Sequence, residues 1–225
     1  MLNSPANGPR DDLLVWIDLE MTGLDPQQNT IVEIATLITD NQLEVVAEGP
    51  EIIVHTGPEH IARMIPIVRD MHTRSGLIEK VRLSSVNLKD AERETLGFLK
   101  AWVRPRSAPL CGNSIWCDRM FLKLQMPTVD DLLHYRTIDV SSFKEVATRW
   151  NVAAIANAPR KADKHRALED IRESIAQLKH YRDQWLAPAR KKVEAKGDAK
   201  PDPKGDAKDE SRGPGAEPVG GERRA

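Results

Sequence analysis

Apolar positions along the first 186 residues fall into two kinds of pattern. Short dense runs come first. Leu13–Leu19 (LLVWIDL) ends in acids, Ile31–Thr39 (IVEIATLIT) is rich in β-branched residues, and Glu51–His55 (EIIVH) is a third such run. A turn carrying Gly23, Asp25 and Pro26 separates the first two. Three strands in quick succession predict an antiparallel meander. Helical spacing follows. Lys89–Val103 places Leu96, Leu99 and Val103 at helical intervals. Pro109–Asn113 reads as a short buried strand, Arg119–Gln125 as the start of a helix, and Tyr135–Val140 as a strand. Ser141 is expected to cap a helix running to Trp150, and Ala167–Trp185 reads as a long amphipathic helix. The order βββαβαβα predicts an α/β fold, a mixed sheet with helices on its faces.

The pattern stops near Leu186. The following stretch is rich in Lys, Asp, Ala, Pro and Gly, holds almost no large apolar residue, and repeats KGDAK at 196–200 and 204–208. Such a segment buries too little surface to offset its ordering entropy. The expected organisation is a flexible N-terminus at 1–12, one folded domain at 13–186 and a disordered charged tail at 187–225. One domain plus an appendage also suits a length of 225 residues.

Charge narrows the choice of partner. Net charge is −1 and the isoelectric point is near 6.6. A binder of long nucleic acid is usually basic, so a nucleic-acid substrate here is expected to be short and locally recognised. Aromatics make up 4% of residues, which argues against an aromatic-stacking module. The N-terminus has no apolar signal core and no run is long enough to span a bilayer, so the expectation is a cytoplasmic protein without membrane contact. Cys111 and Cys117 read as reduced thiols, without the further ligands a zinc site requires.

The candidate chemistry is acidic. Asp18 and Glu20 alternate along a strand and so share a face at its end. Two such carboxylates repel and call for a compensating cation. Asp118 lies near a helix start, where an acid alone is ordinary. His165 and Asp170 are five positions apart, roughly 140° around an ideal helix. They can share a site only if His165 lies on the loop before the helix, which the polar stretch Lys161–Lys164 permits. Together, four acids suit magnesium or manganese. Two ions can clamp both the attacking and the leaving oxygen of a phosphoryl displacement, and a histidine can take the proton from water.

The motifs WIDLEMTGLD (Trp16–Asp25), CGNSIWCD (Cys111–Asp118), HYRTIDVSS (His134–Ser142) and HRALEDIRES (His165–Ser174) carry a resemblance. From Leu13 to Leu186 the chain resembles the oligoribonuclease family, in the histidine-containing branch of the DEDD exonucleases. The resemblance implies an RNase H-like fold, a homodimer, and 3′→5′ hydrolysis of RNAs of two to five nucleotides, dinucleotides favoured. It implies Asp18, Glu20, Asp118 and Asp170 as ligands of two Mg²⁺ or Mn²⁺ ions and His165 as general base. Leu24 matches a wedge between the two bases. Ser114, Arg136, Ser141 and Ser142 match a cap on the 5′ phosphate, and Tyr135 matches a tyrosine reaching the partner protomer's site. A fixed cap measures substrate length without a basic groove, and Arg136 suits it because guanidinium binds phosphate bidentately.

On the residues alone, Leu24 could pack in a turn, Tyr135 could be half-buried in its strand, and Ser141 could serve only as a helix cap. The chain departs from the family pattern at Trp116-Cys117, where Trp116 either stacks on substrate or fills a core gap. It departs also at Ile67 within Ile65–Val68, and at Asn151-Val152 after Trp150. Two rival functions remain at this point. One is another exonuclease of the same branch, of DNA-proofreading or tRNA-trimming type. The other is a non-catalytic dinucleotide-binding or scaffold protein.

Overall fold

In the computed structural model, which describes residues 5, 8–159 and 166–186, the apolar runs become a five-stranded sheet. In chain order the elements are β1 (Leu14–Met21), β2 (Ile31–Thr39), β3 (Val45–Ile53), then helices α1 (Pro58–Ala62), α2 (Pro66–Arg74), α3 (Leu77–Leu83) and α4 (Leu88–Trp102). There follow β4 (Pro109–Gly112), α5 (Ile115–Gln125), α6 (Pro127–Leu132), β5 (His134–Asp139), α7 (Val140–Trp150), α8 (Val152–Ala156) and α9 (Ala167–Tyr181), the last running into a π-helical turn at Arg182–Leu186. The strand order is β3-β2-β1-β4-β5. The first three strands pair antiparallel, as the meander predicts, while β4 pairs parallel with both β1 and β5.

Alternation along β1 explains the layers. Val15, Ile17 and Leu19 pack with Phe98 and Leu99 of α4 and Phe121 and Leu122 of α5. Trp16 points to the other face, with Ile171, Ile175 and Leu178 of α9 and Ala147 of α7. All nine residues of β2 are buried, so both sheet faces are covered there. A smaller cluster packs Val32 on Ile61, Leu77 and Val81 of the α1–α3 segment.

Three readings are corrected by the structure. The third strand begins at Val45, not Glu51, because an edge strand tolerates the Gly49-Pro50 pair; the pairing with β2 shifts register between Ala35 and Leu37 to accommodate it. Helices α1, α2, α3, α6 and α8 interrupt the simple βββαβαβα order; with five to nine residues each they are too short to show periodicity. The cap of α7 is Asp139, whose carboxylate accepts the Ser141 N–H at 2.9 Å, and not Ser141 itself. Among the described residues no helix is long and apolar enough to cross a membrane.

Candidate functional site

The site forms beyond the ends of parallel strands β1 and β4, where Trp16 pairs with Cys111 and both chains run outward in the same direction. β1 carries Asp18 and Glu20 to this edge on one face. Asp170 arrives in the first turn of α9. One carboxylate oxygen from each of Asp18, Glu20 and Asp170 falls within 4.8 Å of the others. Asp118 sits buried in the first turn of α5 and accepts the Leu19 N–H at 3.0 Å, which ties that helix to β1.

Electrostatics shows what this arrangement lacks. Glu20 is buried, and its carboxyl is pushed up to about 8, first by desolvation and then by the charges of Glu33, Asp170 and Asp118. Glu33 stands directly opposite Glu20 across the β1–β2 pair. Burial holds Glu33 above the usual carboxylate range even with Arg166 beside it. Hard oxygen donors crowded until one must hold a proton are the donor set a divalent cation satisfies. The acids present therefore fit Mg²⁺ or Mn²⁺.

The other expected site residues are placed in two groups. At the outer ends of β4 and β5, Ser114 has a left-handed backbone (φ 51°) and donates its N–H to Asp139 Oδ1 and to Ser141 Oγ, both at 3.0 Å. The Ser114 and Ser141 hydroxyls are 3.2 Å apart, and Ser141 Oγ donates to Asn113 Oδ1. Asn113 in turn donates to Ser174 of α9 at 2.7 Å, so the two strand ends are pinned to that helix. Ser142 is exposed one residue on. Tyr135 and Arg136 lie at the opposite end of β5. Tyr135 is 74% exposed with the Arg136 guanidinium 5.4 Å from its ring centre. A single chain thus brings Ser114 and Ser141 together and leaves Tyr135 and Arg136 apart from them.

Leu24 projects from the β1–β2 turn at 70% exposure, so it does not pack in that turn. Gln125 stitches the turn to α5: its amide donates to Pro26 O and Asn29 O and accepts from Ile31 N. Trp116 is 61% exposed, which rules out the core-filling reading, and Ile67 is exposed as well. His165 lies outside the described residues, as do residues 187–225 and, within 1–12, residues 1–4, 6 and 7.

Two residues near the acids went unread in the sequence. His72 of α2 is fully buried, donates Nε2–H to Met21 O at 2.8 Å and holds Nδ1 3.8 Å from Glu20 Oε2. Nothing in its neighbourhood signalled this. Glu33 did carry a signal, a lone acid inside an apolar strand, which implies a buried charge with a partner.

Known proteins resemble this chain in sequence and in fold. The exonuclease family RNase_T matches residues 15–178. The chain is 49% identical over 173 residues to an oligoribonuclease of Pseudomonas aeruginosa strain PAO1, covering 77% of this chain and 96% of that one. It is 49% identical to an oligoribonuclease of Corynebacterium diphtheriae over 179 residues, 79% of this chain and 85% of that one. By fold it is similar to E. coli exonuclease I in complex with a dT13 oligonucleotide, with TM-score 0.61 and 13% identity, covering 80% of this chain. It is likewise similar to exonuclease I from Methylocaldum szegediense, with TM-score 0.56, 14% identity and 77% of this chain covered. It spans 43% and 41% of those two longer chains.

Proposed function

The chain belongs to the oligoribonuclease family of exonucleases, and from that membership we propose that it hydrolyses very short single-stranded RNA from the 3′ end, dinucleotides above all, releasing nucleoside 5′-monophosphates. The observation that carries the reading is the convergence of Asp18, Glu20 and Asp170 within 4.8 Å, at a sheet edge to which helix α5 ties Asp118 through the Leu19 N–H.

In this reading Asp18, Glu20, Asp118 and Asp170 hold two divalent ions, Mg²⁺ or Mn²⁺. Bound there, the ions offset the carboxylate and phosphodiester charge and make water more acidic. His165 accepts the proton of the attacking water. Leu24, already projecting into solvent, enters between the two bases. The Ser114 and Ser141 hydroxyls, with Ser142 and Arg136, close on the 5′ phosphate and so limit substrate length.

The opposite-end placement of Tyr135 and Arg136 favours their action on the partner's site in a homodimer. So does an exposed apolar stripe on α5, Trp116, Met120 and Leu124, spaced one helical turn apart. Residues 13–186 form the exonuclease domain, 187–225 take no part in the reaction, and the enzyme works in the cytoplasm.

The test is length dependence. Labelled RNAs of two, three, five and twenty nucleotides are incubated with Mn²⁺, with and without EDTA. Rapid EDTA-sensitive cleavage of the dinucleotide with the 20-mer nearly untouched is the expected result. Equal cleavage of the 20-mer removes the cap from the reading, and no cleavage of any length removes catalysis.

A further inference from the structure

Arg166 is the residue that precedes α9, and its side chain does no capping. Its backbone is extended (φ −130°, ψ 123°), and its carbonyl accepts the Asp170 N–H at 3.0 Å, the first bond of the helix. The guanidinium turns instead to the sheet. Nε and Nη2 both donate to Glu33 Oε1, at 3.1 and 2.8 Å, and Nη2 also bonds Glu51 of β3.

We propose that Arg166 is a positioning residue for the acidic cluster: by clamping Glu33 and Glu51 it fixes the first turn of α9, and with it Asp170, against Glu20 at the end of β1. The inference rests on the reading of that cluster as a metal centre.

Three observations carry it. First, the clamp spans the elements that deliver two of the acids. Glu33 is the cross-strand neighbour of Glu20, and Asp170 is one helical turn beyond Arg166. Second, the Glu33 side chain is fully buried, and a buried carboxylate demands a fixed partner. Arg166, itself mostly buried, puts Nε–H and Nη2–H on one Glu33 oxygen and Nη2 on Glu51 as well, so its plane is anchored at two carboxylates on neighbouring strands. Third, α9 makes two other ion pairs along this side, Arg172 with Glu48 of β3 and Lys179 with Glu44 just before that strand. Those are more exposed than the Arg166–Glu33 pair, and exposed pairs contribute little. The Arg166 clamp is the inner end of this row and the one that reaches the site.

The geometry separates positioning from simple charge balance. A lysine keeps the positive charge but presents a point charge in place of the fork. Mn²⁺ affinity by calorimetry, kcat and KM on a dinucleotide, and the melting temperature are compared for the full chain and its Arg166→Lys, Arg166→Gln and Glu51→Gln variants. Arg166→Gln is expected to weaken Mn²⁺ binding and kcat by about 10- to 100-fold with KM little changed, the range for a group that orients a ligand. Arg166→Lys is expected to recover part of that loss, and Glu51→Gln to lose several-fold. Full recovery by Lys reduces the role to charge and overturns the proposal. So does unchanged Mn²⁺ affinity in folded Arg166→Lys and Glu51→Gln, which decide the matter if Arg166→Gln fails to fold. An Asp170→Asn control that keeps full Mn²⁺ affinity sinks the metal-centre reading itself. Arg166 variants that keep it while Asp170→Asn loses it sink the clamp alone.

Discussion

The backbone N–H of Leu19 donates to Oδ1 of Asp118 at 3.0 Å, joining the end of β1 to the first turn of α5 across 99 positions of chain. One oxygen of Asp118 is thereby committed to architecture, which gives this acid two separable duties.

Asp118→Asn keeps an oxygen that can accept from Leu19 and removes the charge. Its melting temperature should stay near the parent's. Mn²⁺ affinity and turnover should fall by at least about 100-fold, more than the loss of an outer orienting group costs. Asp118→Ala leaves the buried Leu19 N–H without its acceptor and should lose about 1–3 kcal/mol of stability as well. Calorimetry and thermal denaturation of the two variants separate the duties; an Asn variant with parental turnover would contradict the ligand role.

The Glu20 carboxyl at about 8 makes metal binding proton-linked. Below that pH the free protein carries a proton on Glu20 that an incoming ion must displace. Mn²⁺ affinity should therefore rise with pH up to about 8 and then level off, with proton release visible as a buffer-dependent heat. Stability of the metal-free protein should move the other way. The folded pKa lies above the ordinary value of 4.5, so between the two the folded state holds a proton the unfolded state has lost. Stability in EDTA should fall by a few kcal/mol, to order of magnitude, as pH rises across that window. Glu33, raised by its own burial, acts in the same direction.

The α5 stripe predicts the oligomer. Replacing Trp116 and Leu124 together by glutamate places charge on an apolar contact without touching the core, since both are exposed. On the proposed homodimer, light scattering should show a dimer for the parent and a monomer for the variant. Dinucleotide turnover should drop with it, because Tyr135 and Arg136 then have no partner site to reach. A variant that stays dimeric would remove α5 from the interface.

Gln125→Ala should act on substrate rather than on metal. Its amide makes bonds to Pro26, Asn29 and Ile31 that hold the turn presenting Leu24. Losing them should raise KM for a dinucleotide by about tenfold or less while Mn²⁺ affinity is retained, since the turn keeps its internal bonds around Asp25 and Thr22 but loses its tie to α5. A loss of metal binding instead would show that the turn supports β1.

Much of this was written in the pattern of residues. Ile31–Thr39 is read to the residue because a β-branched run buried on both faces has no other stable use. Helices α4 and α9 are legible through their apolar spacing, and the acids Asp18, Glu20 and Asp170, which the fold brings together, stand in recognisable motifs. Short helices were not, since those of five to nine residues place only one or two side chains in a core. Choosing Ser141 over Asp139 as a cap was a shift of two positions between residue types that cap equally well. His72 and the Arg166 clamp depend on contacts between distant segments, and no local pattern encodes those.

The strand order has a consequence for how the enzyme comes into being. β1, β2 and β3 follow one another in the chain and pair over short separations, whereas β4 and α9 reach β1 only over long separations and β5 joins the sheet through β4. A nascent chain therefore shows Asp18 and Glu20 early, yet cannot complete the cluster until residue 170, near the end of the domain, has emerged and docked. On the proposed reading of the acidic cluster, an exonuclease made in the presence of RNA is expected to stay inert until its last helix closes the fold.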